Sequence, residues 1–430
     1  MGLFLYATGT SRLVIDVFSQ CGLSTSYSSI LDAHGVLAKS LLNKAAELAK
    51  GPHMLGFDNV QISMSKHITQ RPSANLTVTS YTAGIFYALR NATLAACLLR
   101  PILERRATCE IINYKQHILL SGKEKKSFLE HLKLDVIEIL FRHTEGFLEL
   151  VAYQDVLKHE AHRPPPPGYK TIEVVLPTKE FDESTTAGVI YYLDDVYIDG
   201  LTIPREVFDN LAIISINDQL TNSRVRAAYM ERRGDVSVIE RKEPFILGPG
   251  MFHTQMNYSW DIRFVHSGRD DVPGSLKFWS ALLGTKRVDC EKPDYYTLTR
   301  HFMNILAGNI LHLWSKETGF EDLGGYAETN PSLEELKAKA EEIIVKFASG
   351  KGLEKYREDD PLLHNVILLN RDLLYLYELN SAVSSGDFGR LELMLGILTR
   401  MFNGAGAKNY SLELLHFIQN LKIAWPEDFA

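Results

Sequence analysis

The pattern of hydrophobic and polar positions changes part of the way along the chain. In the first 250 residues, short runs of β-branched and aromatic residues predict strands, because such side chains suit the surface of a sheet. These runs lie at 53–62, 75–88, 171–176, 188–198, 211–216 and 244–249. Between them, apolar residues recur every three or four positions, for example at 123–149 and 219–228, which indicates helices that bury one face.

Helical spacing dominates the rest of the chain. The predicted helices there lie at 276–283, 296–314, 332–348, 366–383, 387–402 and 409–418. The patterns predict a helix-rich α/β protein in four parts. These are an N-terminal helical segment (1–50), an α/β core with insertions (51–270), a helical insertion (271–402) and a closing helix of the core (403–430).

The run at 211–216 ends abruptly in an acidic residue. It is short, β-branched and nearly uncharged, so it predicts a buried strand, and Asp218 follows just before the helix predicted at 219–228. Open α/β sheets bind ligands at the carboxyl ends of their strands, which makes Asp218 a candidate functional residue. The structural alternative is that Asp218 caps the helix, a common role for acids.

A second acid interrupts an earlier predicted strand. Asp58 lies inside the apolar run at 53–62, where burial of a charge costs several kcal/mol unless the charge is paired or bound to a metal. The alternative is that Asp58 faces water. The adjacent acids Asp194 and Asp195 also invite a metal interpretation, but neighbours on a strand point to opposite faces, so this signal is weak.

Composition and charge narrow the classes of function. The net charge of −7 argues against a uniformly basic nucleic-acid surface, although it leaves room for a local basic groove. Cys21, Cys97, Cys109 and Cys290 do not have the spacing of a zinc site, and they indicate reduced thiols of an intracellular protein. No stretch predicts a signal peptide or a membrane span.

The order of the acids suggests a fold and a chemistry. Strands carrying Asp58 and Asp218, then a helical block, then a helix opened by Glu413 match the layout of a ribonuclease-H-like mixed sheet with a large helical insertion. In that fold, acids converge on two divalent cations that act on a phosphodiester. Carboxylates favour Mg²⁺, or Mn²⁺, over zinc. Glu378 and Glu392 remain alternatives to Glu413 as the third acid.

The chain also resembles an uncharacterised domain family that is abundant in mushroom-forming fungi. The segments that carry the resemblance span nearly the whole chain. They are GTSRLVIDVFSQCGLSTSY from Gly9, the Asp58-Asn59 strand, SINDQLTNSRVR from Ser215, the Phe252-His253 helix, PGSLKFW from Pro273, NRDLLYLYEL from Asn370 and GAGAKNYSLELL from Gly404 with the Trp-Pro after it.

The resemblance implies an origin in a mobile element, since the DQLT and NYxxE motifs are similar to the acidic motifs of transposases with a ribonuclease-H-like core. It further implies that Asp58, Asp218 and Glu413 are metal ligands and catalytic residues.

Two functions follow as expectations. The first is a transposon-derived, metal-dependent nuclease that acts on DNA, in the nucleus if it is transposase-like, with no membrane partner and no small-molecule cofactor. Arg224, Arg226, Arg232 and Arg233 are then candidates for phosphate contacts, or else solvated helix arginines. The second is an inactive relic that binds DNA or protein, which the acidic charge and ends that are short for a transposase favour. A plain helical scaffold ranks third, because it leaves the β-rich first half unexplained.

Overall fold

The computed structural model describes residues 1–64, 77–148, 157–285, 288, 293–351, 353, 356 and 359–429. The first two residues of the run at 75–88, the last residue of the helix predicted at 123–149, and Cys290 lie outside these residues. Contacts divide the chain into two compact units. The first comprises Met1–Cys109, Lys170–Gly250 and Ala424–Ala430, and the second comprises Glu110–Tyr169 and Met251–Ile423. The four-part division inferred from the sequence stays a prediction.

One mixed sheet of five strands lies in the described part of the first unit. The strands are β1 (His53–Met64), β2 (Thr77–Ala88), β3 (Glu173–Val175), β4 (Ile213–Asn217) and β5 (Phe245–Pro249). Their order across the sheet is β3-β2-β1-β4-β5. Strands β1, β2 and β3 pair antiparallel, whereas β4 is parallel to both β1 and β5. The predicted α/β class is confirmed at this level.

Helices make up most of the remaining structure. In chain order they are α1 (Gly2–Ala7), α2 (Arg12–Gln20), α3 (Tyr27–Leu48), α4 (Leu99–Thr108), α5 (Gly122–His143), α6 (Glu145–Leu148), α7 (Thr186–Asp194), α8 (Arg205–Phe208), α9 (Gln219–Glu231), α10 (Met251–Val265), α11 (Leu276–Leu282), α12 (Tyr295–Thr318), α13 (Leu323–Glu328), α14 (Leu333–Phe347), α15 (Pro361–Ser385), α16 (Phe388–Ala405) and α17 (Lys408–Gln419). Among the helices of the described residues, none has the length and apolar content needed to cross a bilayer.

One predicted strand proved wrong. The run at 188–198 forms α7 and then a π-helical turn, Asp195–Gly200. The Thr185 side chain accepts a hydrogen bond from the Gly188 N–H and so caps α7. Val189 and Tyr192 are buried in the core of the unit. A short apolar run of this kind has the same composition in a buried helix and in a buried strand, so periodicity alone does not separate them.

The core of the first unit forms where helices cover the sheet. In β1, Leu55 and Phe57 are buried, as the alternation of a strand requires. The rings of Phe57 and Tyr192 lie 5.1 Å apart, which joins the sheet to α7. A Cβ atom on Gly84 of β2 would lie 2.0 Å from the Tyr192 hydroxyl. Close approach of α7 to the sheet therefore depends on glycine at position 84.

The second unit is built from helices around α5. Trp314 of α12 is fully buried and donates from its indole N–H to the Val136 carbonyl of α5 at 3.3 Å. Ser121 and Glu124 form a capping box that starts α5. Most of the C-terminal half of α5 is buried, including one acid, Asp135.

Candidate metal centre

Two neighbouring strands of the first unit bring Asp58 and Asp218 side by side. The parallel register of β1 and β4 pairs Met54 with Ile214 and Leu55 with Ser215. Continued by three residues, this register sets Asp58 opposite Asp218. The Phe57 N–H donates to the Asn217 side-chain oxygen at 3.3 Å, which joins the strands one residue before the two acids.

Asp218 performs the structural role that the sequence offered as an alternative. Its Oδ1 accepts a hydrogen bond from the Thr221 N–H at 2.6 Å and caps α9. One carboxylate oxygen has further lone pairs, so capping leaves the side chain able to contact a cation. Asp58 is exposed, in the middle of β1 rather than at a strand end, and its Oδ1 accepts from the Asn59 N–H at 2.8 Å.

A third acid of the first unit, Glu183, lies beside these two. It precedes α7 and is only 4% exposed. Its Oε1 accepts a hydrogen bond from the Thr221 hydroxyl at 3.2 Å, which connects it to the first turn of α9. The neighbouring Ser184 carbonyl accepts from Arg224 Nε at 2.7 Å and ties the same turn to α9. Arg224, a candidate for phosphate contact, is thus engaged in holding Glu183 in place.

The electrostatics of Glu183 indicate that the charges of Asp58 and Asp218 lie near it. The pKa of Glu183 is raised from 4.5 to about 8, mainly by burial and in addition by the charges of Asp58 and then Asp218. The Thr221 hydrogen bond, and to a smaller extent the Asn59 N–H, oppose this rise in pKa. A carboxyl group that two like charges keep from ionising is one that a divalent cation would stabilise.

Two oxygens in this region lack hydrogen-bond donors. Within the described residues, neither Glu183 Oε2 nor the side-chain oxygen of Asn59 has a hydrogen-bond partner, although both atoms are shielded from solvent. A buried acceptor without a donor costs about 1–3 kcal/mol. The donor set of Asp58, Glu183 and Asp218 consists only of oxygen, which is the preference of Mg²⁺ and Mn²⁺. The chemistry of these acids therefore suits a hard divalent cation, whereas in the described structure their ligand atoms do not all lie within 4.8 Å of one another.

A network of amides fixes the strand ends behind the acids. Asn217 is buried, and its side-chain amide donates to Ser215 Oγ at 2.9 Å and to Asn222 Oδ1 at 3.0 Å. Asn222 in turn donates to the Gly248 carbonyl of β5 at 2.9 Å. Strands β1, β4 and β5 and helix α9 are thus held in one arrangement at the cluster.

The other acids suggested by the sequence lie elsewhere. Glu413 belongs to the second unit, where it is buried in the second turn of α17, because that helix begins at Lys408 rather than next to the glutamate. Its membership of the site stays a prediction. Glu378 forms a buried ion pair with Arg390, and Glu392 an ion pair with Arg163 at 2.5 Å.

The adjacent acids at the end of α7 do not form a site together. Asp194 forms an ion pair with Lys242, and Asp195 forms one with Lys179 at 2.7 Å. Arg232 likewise pairs with Asp235 at 2.5 Å. These three contacts have the character of structural ion pairs.

Glu183 was missed by the sequence analysis, because it stands in a polar turn and shows no periodicity. The available signal was the run from Asp182 to Thr185 directly before an apolar segment, which is typical of a helix start. That signal would have placed an acid at the beginning of α7. It would not have revealed that Glu183 points into the protein.

Comparison with known proteins identifies the family of the chain but not a function. A sequence model described as "Family of unknown function (DUF6589)" matches residues 109–430, which is most of the chain. Glu183 and Asp218 lie within the matched residues, and Asp58 lies before them. Neither the curated proteins nor the solved structures include a match to this chain.

Proposed function

Because the chain belongs to a family of unknown function, DUF6589, we propose its activity from the acidic cluster: a metal-dependent nuclease or strand transferase with a ribonuclease-H-like core that acts on DNA phosphodiesters. The observation that carries this proposal is that Asp58 and Asp218 lie at matching positions of neighbouring chain segments and that both act electrostatically on the buried Glu183. A ribonuclease-H-like core requires acids on neighbouring strands of a mixed sheet, and β1 and β4 supply them.

The uncompensated negative charge at Glu183 favours a bound cation. Within the part of the chain that the structure describes, no lysine or arginine side chain pairs with Glu183. A buried carboxylate without a counter-charge costs several kcal/mol. A bound Mg²⁺ or Mn²⁺ ion would supply the missing charge and, in this chemistry, activates water and stabilises the leaving oxygen.

Each residue of the cluster then has a defined task. Asp58 of β1 and Asp218 directly after β4 would hold the cation, and Glu183 would complete the ligand set from the turn before α7. Thr221 orients Glu183 through its hydroxyl and Asp218 through its backbone N–H. Hydrogen bonds of this kind orient the side chains that bind a metal. DNA as the substrate rests on the resemblance to transposase motifs.

A second candidate is a catalytically inactive relic of the same fold that binds DNA or protein. The observation in its favour is that the Asp218 carboxylate already has a structural role as the cap of α9. In that case the acid would persist for helix stability without any metal.

Cleavage of a labelled DNA duplex, with and without Mg²⁺ or Mn²⁺, distinguishes the two functions. We expect cleavage by the wild type that depends on metal and falls by at least about 100-fold in Asp218→Asn and Glu183→Gln, since each loses a charged ligand. Glu180→Gln is the matched control, because Glu180 is exposed and only three residues from Glu183. Glu413→Gln tests the ligand predicted from the sequence.

The nuclease and the inactive relic predict different results in this assay. Equal cleavage by the wild type, Asp218→Asn and Glu183→Gln would show that the activity comes from elsewhere. No cleavage and no metal binding by the wild type would overturn the nuclease proposal and favour the relic.

A further inference from the structure

A second group of metal-ligating side chains lies in the second unit and shares no residue with the proposed nuclease site. Asp135 and Glu138 are three positions apart in α5, so they lie on the same face of that helix. His159, further along the chain, places its side chain beside these two acids. One ligand atom from each of the three side chains lies within 4.8 Å of the others.

Asp135 is the unusual member of this group. Its side chain is fully buried, and among the described residues its carboxylate oxygens have no hydrogen-bond donor other than the Glu378 carboxyl, which can donate only when it carries a proton. The nearest basic atom is His159 Nε2, which lies 3.2 Å from Oδ1. Nitrogen and oxygen ligands of a tetrahedral zinc ion are about 3.4 Å from one another, given metal distances near 2.0–2.1 Å. The Asp135–His159 separation matches that of two ligands on one ion.

The orientation of His159 suits a ligand. Its Nδ1 lies 3.2 Å from Nδ1 of His131, and the Nε2 atoms of His131 and His162 lie 2.9 Å apart. If His159 donates from Nδ1 and His131 from Nε2, every contact in this chain has one donor and one acceptor. His159 Nε2 then carries a lone pair and faces Asp135. Metal-bound histidines commonly have the other ring nitrogen in such a hydrogen bond.

Negative charge exceeds positive charge inside the group. Glu378 and Arg390 form a two-point ion pair beside Asp135, which balances those two residues against each other. Asp135 and Glu138 remain, and Glu138 accepts from Arg142, whose side chain is largely exposed, and from the Tyr377 hydroxyl at 3.0 Å. A further cation, or a proton retained on Asp135, is needed for balance.

A cavity lies at the far end of the imidazole chain. His162, at the far end of the imidazole chain, lines a cavity of about 580 Å³ together with Ser127, and its Nε2 lies 3.1 Å from the serine hydroxyl. The cavity wall carries charges of both signs, with Glu124, Glu130, Glu160 and Glu392 beside Lys123, Lys126 and Arg163.

We infer that Asp135, Glu138 and His159 form a binding site for one divalent transition-metal ion of the zinc type. The imidazole nitrogen sets this site apart from the oxygen-only cluster of the first unit, because histidine favours Zn²⁺ and its neighbours in the series over Mg²⁺. Three protein ligands leave a fourth position for water or another group.

Titration of Zn²⁺ into the chelator-treated full-length protein tests this site. We expect one site in the wild type that His159→Ala weakens by more than the roughly 100-fold that loss of an outer contact can cost. His312→Ala is the control, since His312 is an exposed histidine of the same unit. Bound Co²⁺ gives a visible absorption spectrum, and the spectrum of the wild type should be lost in His159→Ala.

Further variants keep the result interpretable. Glu138→Gln, at a partly exposed position, repeats the test if His159→Ala fails to fold, and melting curves without metal identify that failure. Asp218→Asn must retain the Zn²⁺ site even if it abolishes DNA cleavage, which separates this inference from the proposed nuclease. Absence of Zn²⁺ binding in the wild type, or unchanged binding in folded His159→Ala and Glu138→Gln, would overturn the inference and leave a proton on Asp135.

Discussion

Each of the two units contains a group of acids with at least one buried member, and the two groups differ in the positive charges near them. In the second unit, Arg390 lies among the acids and forms a two-point ion pair with Glu378. In the first unit, Glu183 is buried beside Asp58 and Asp218, and its pKa is raised by burial and by both of these acids. The second cluster contains one buried arginine and lacks one further positive charge, whereas within the described residues no lysine or arginine pairs with Glu183 in the first. The comparison teaches that burial of an acid indicates a ligand site only after the nearby cations are counted.

The largest effect is expected where the internal counter-charge is removed. Arg390→Met should lower the free energy of unfolding by about 3–5 kcal/mol, because Glu378 and Asp135 would remain buried without their cation. Chemical denaturation of the variant and the wild type measures the difference. A loss below about 1 kcal/mol would mean that the second cluster does not depend on Arg390, and the contrast between the units would fail.

The next effect is a pH dependence that belongs to the first cluster. The pKa of Glu183 is about 8 in the folded protein and 4.5 as its usual value, so the native state binds more protons between these pH values. Stability should therefore fall as the pH rises from about 5 to 8, by up to about 1.4 kcal/mol per pH unit. Glu183→Gln lacks this titration. The difference in unfolding free energy between the wild type and this variant therefore isolates the contribution of Glu183.

Saturating Mg²⁺ should reduce the fall in wild-type stability between pH 5 and pH 8, since metal binding favours the ionised carboxylate. A difference between wild type and Glu183→Gln that stays constant from pH 5 to pH 8 would show that Glu183 is not held among like charges.

A smaller effect is expected where the sheet meets α7. Gly84→Ala should lower the unfolding free energy by about 1–3 kcal/mol, because its new Cβ would clash with the buried Tyr192 hydroxyl. Gly404→Ala, at a position with open space around it, is the matched control. Thermal or chemical unfolding reads out both. Equal stability of the two variants would mean that α7, and Glu183 with it, is not packed as closely as described.

The smallest effect is expected at the rim of the second cluster. Arg142→Ala should cost less than about 1 kcal/mol, although Arg142 contacts Glu138 at 2.5 Å, because its side chain is 64% exposed. Denaturing Arg142→Ala and Arg390→Met under the same conditions compares the stability effects of two arginines of the same unit. If both variants lost equal stability, burial would not be what distinguishes the two arginines.

The sequence predicted the parts of the fold where pattern and chemistry agree. The strand at 211–216, its terminal Asp218 and the helix after it follow from an uncharged β-branched run and a capping acid, and the structure has them as β4 and α9. Strand β1, which contains Asp58, was likewise predicted. Helix α7 was not, because its residues are those that a buried strand would also use.

The candidate sites were predictable only in part. Asp58 and Asp218 stand out because an acid interrupts or ends an apolar run. Glu183 and Asp135 do not, since one lies in a polar turn and the other in a helix with charged neighbours, and only packing from distant segments buries them. His159 carries no local signal, because its partner is 24 residues away.

The measurement that tests the central claim most directly is calorimetric titration of Mn²⁺ into wild type, Glu183→Gln and the control Glu180→Gln. The account predicts binding by the wild type and by Glu180→Gln, and its loss or strong weakening in Glu183→Gln. Equal Mn²⁺ affinity in all three proteins would contradict the assignment of Glu183, Asp58 and Asp218 as one metal centre.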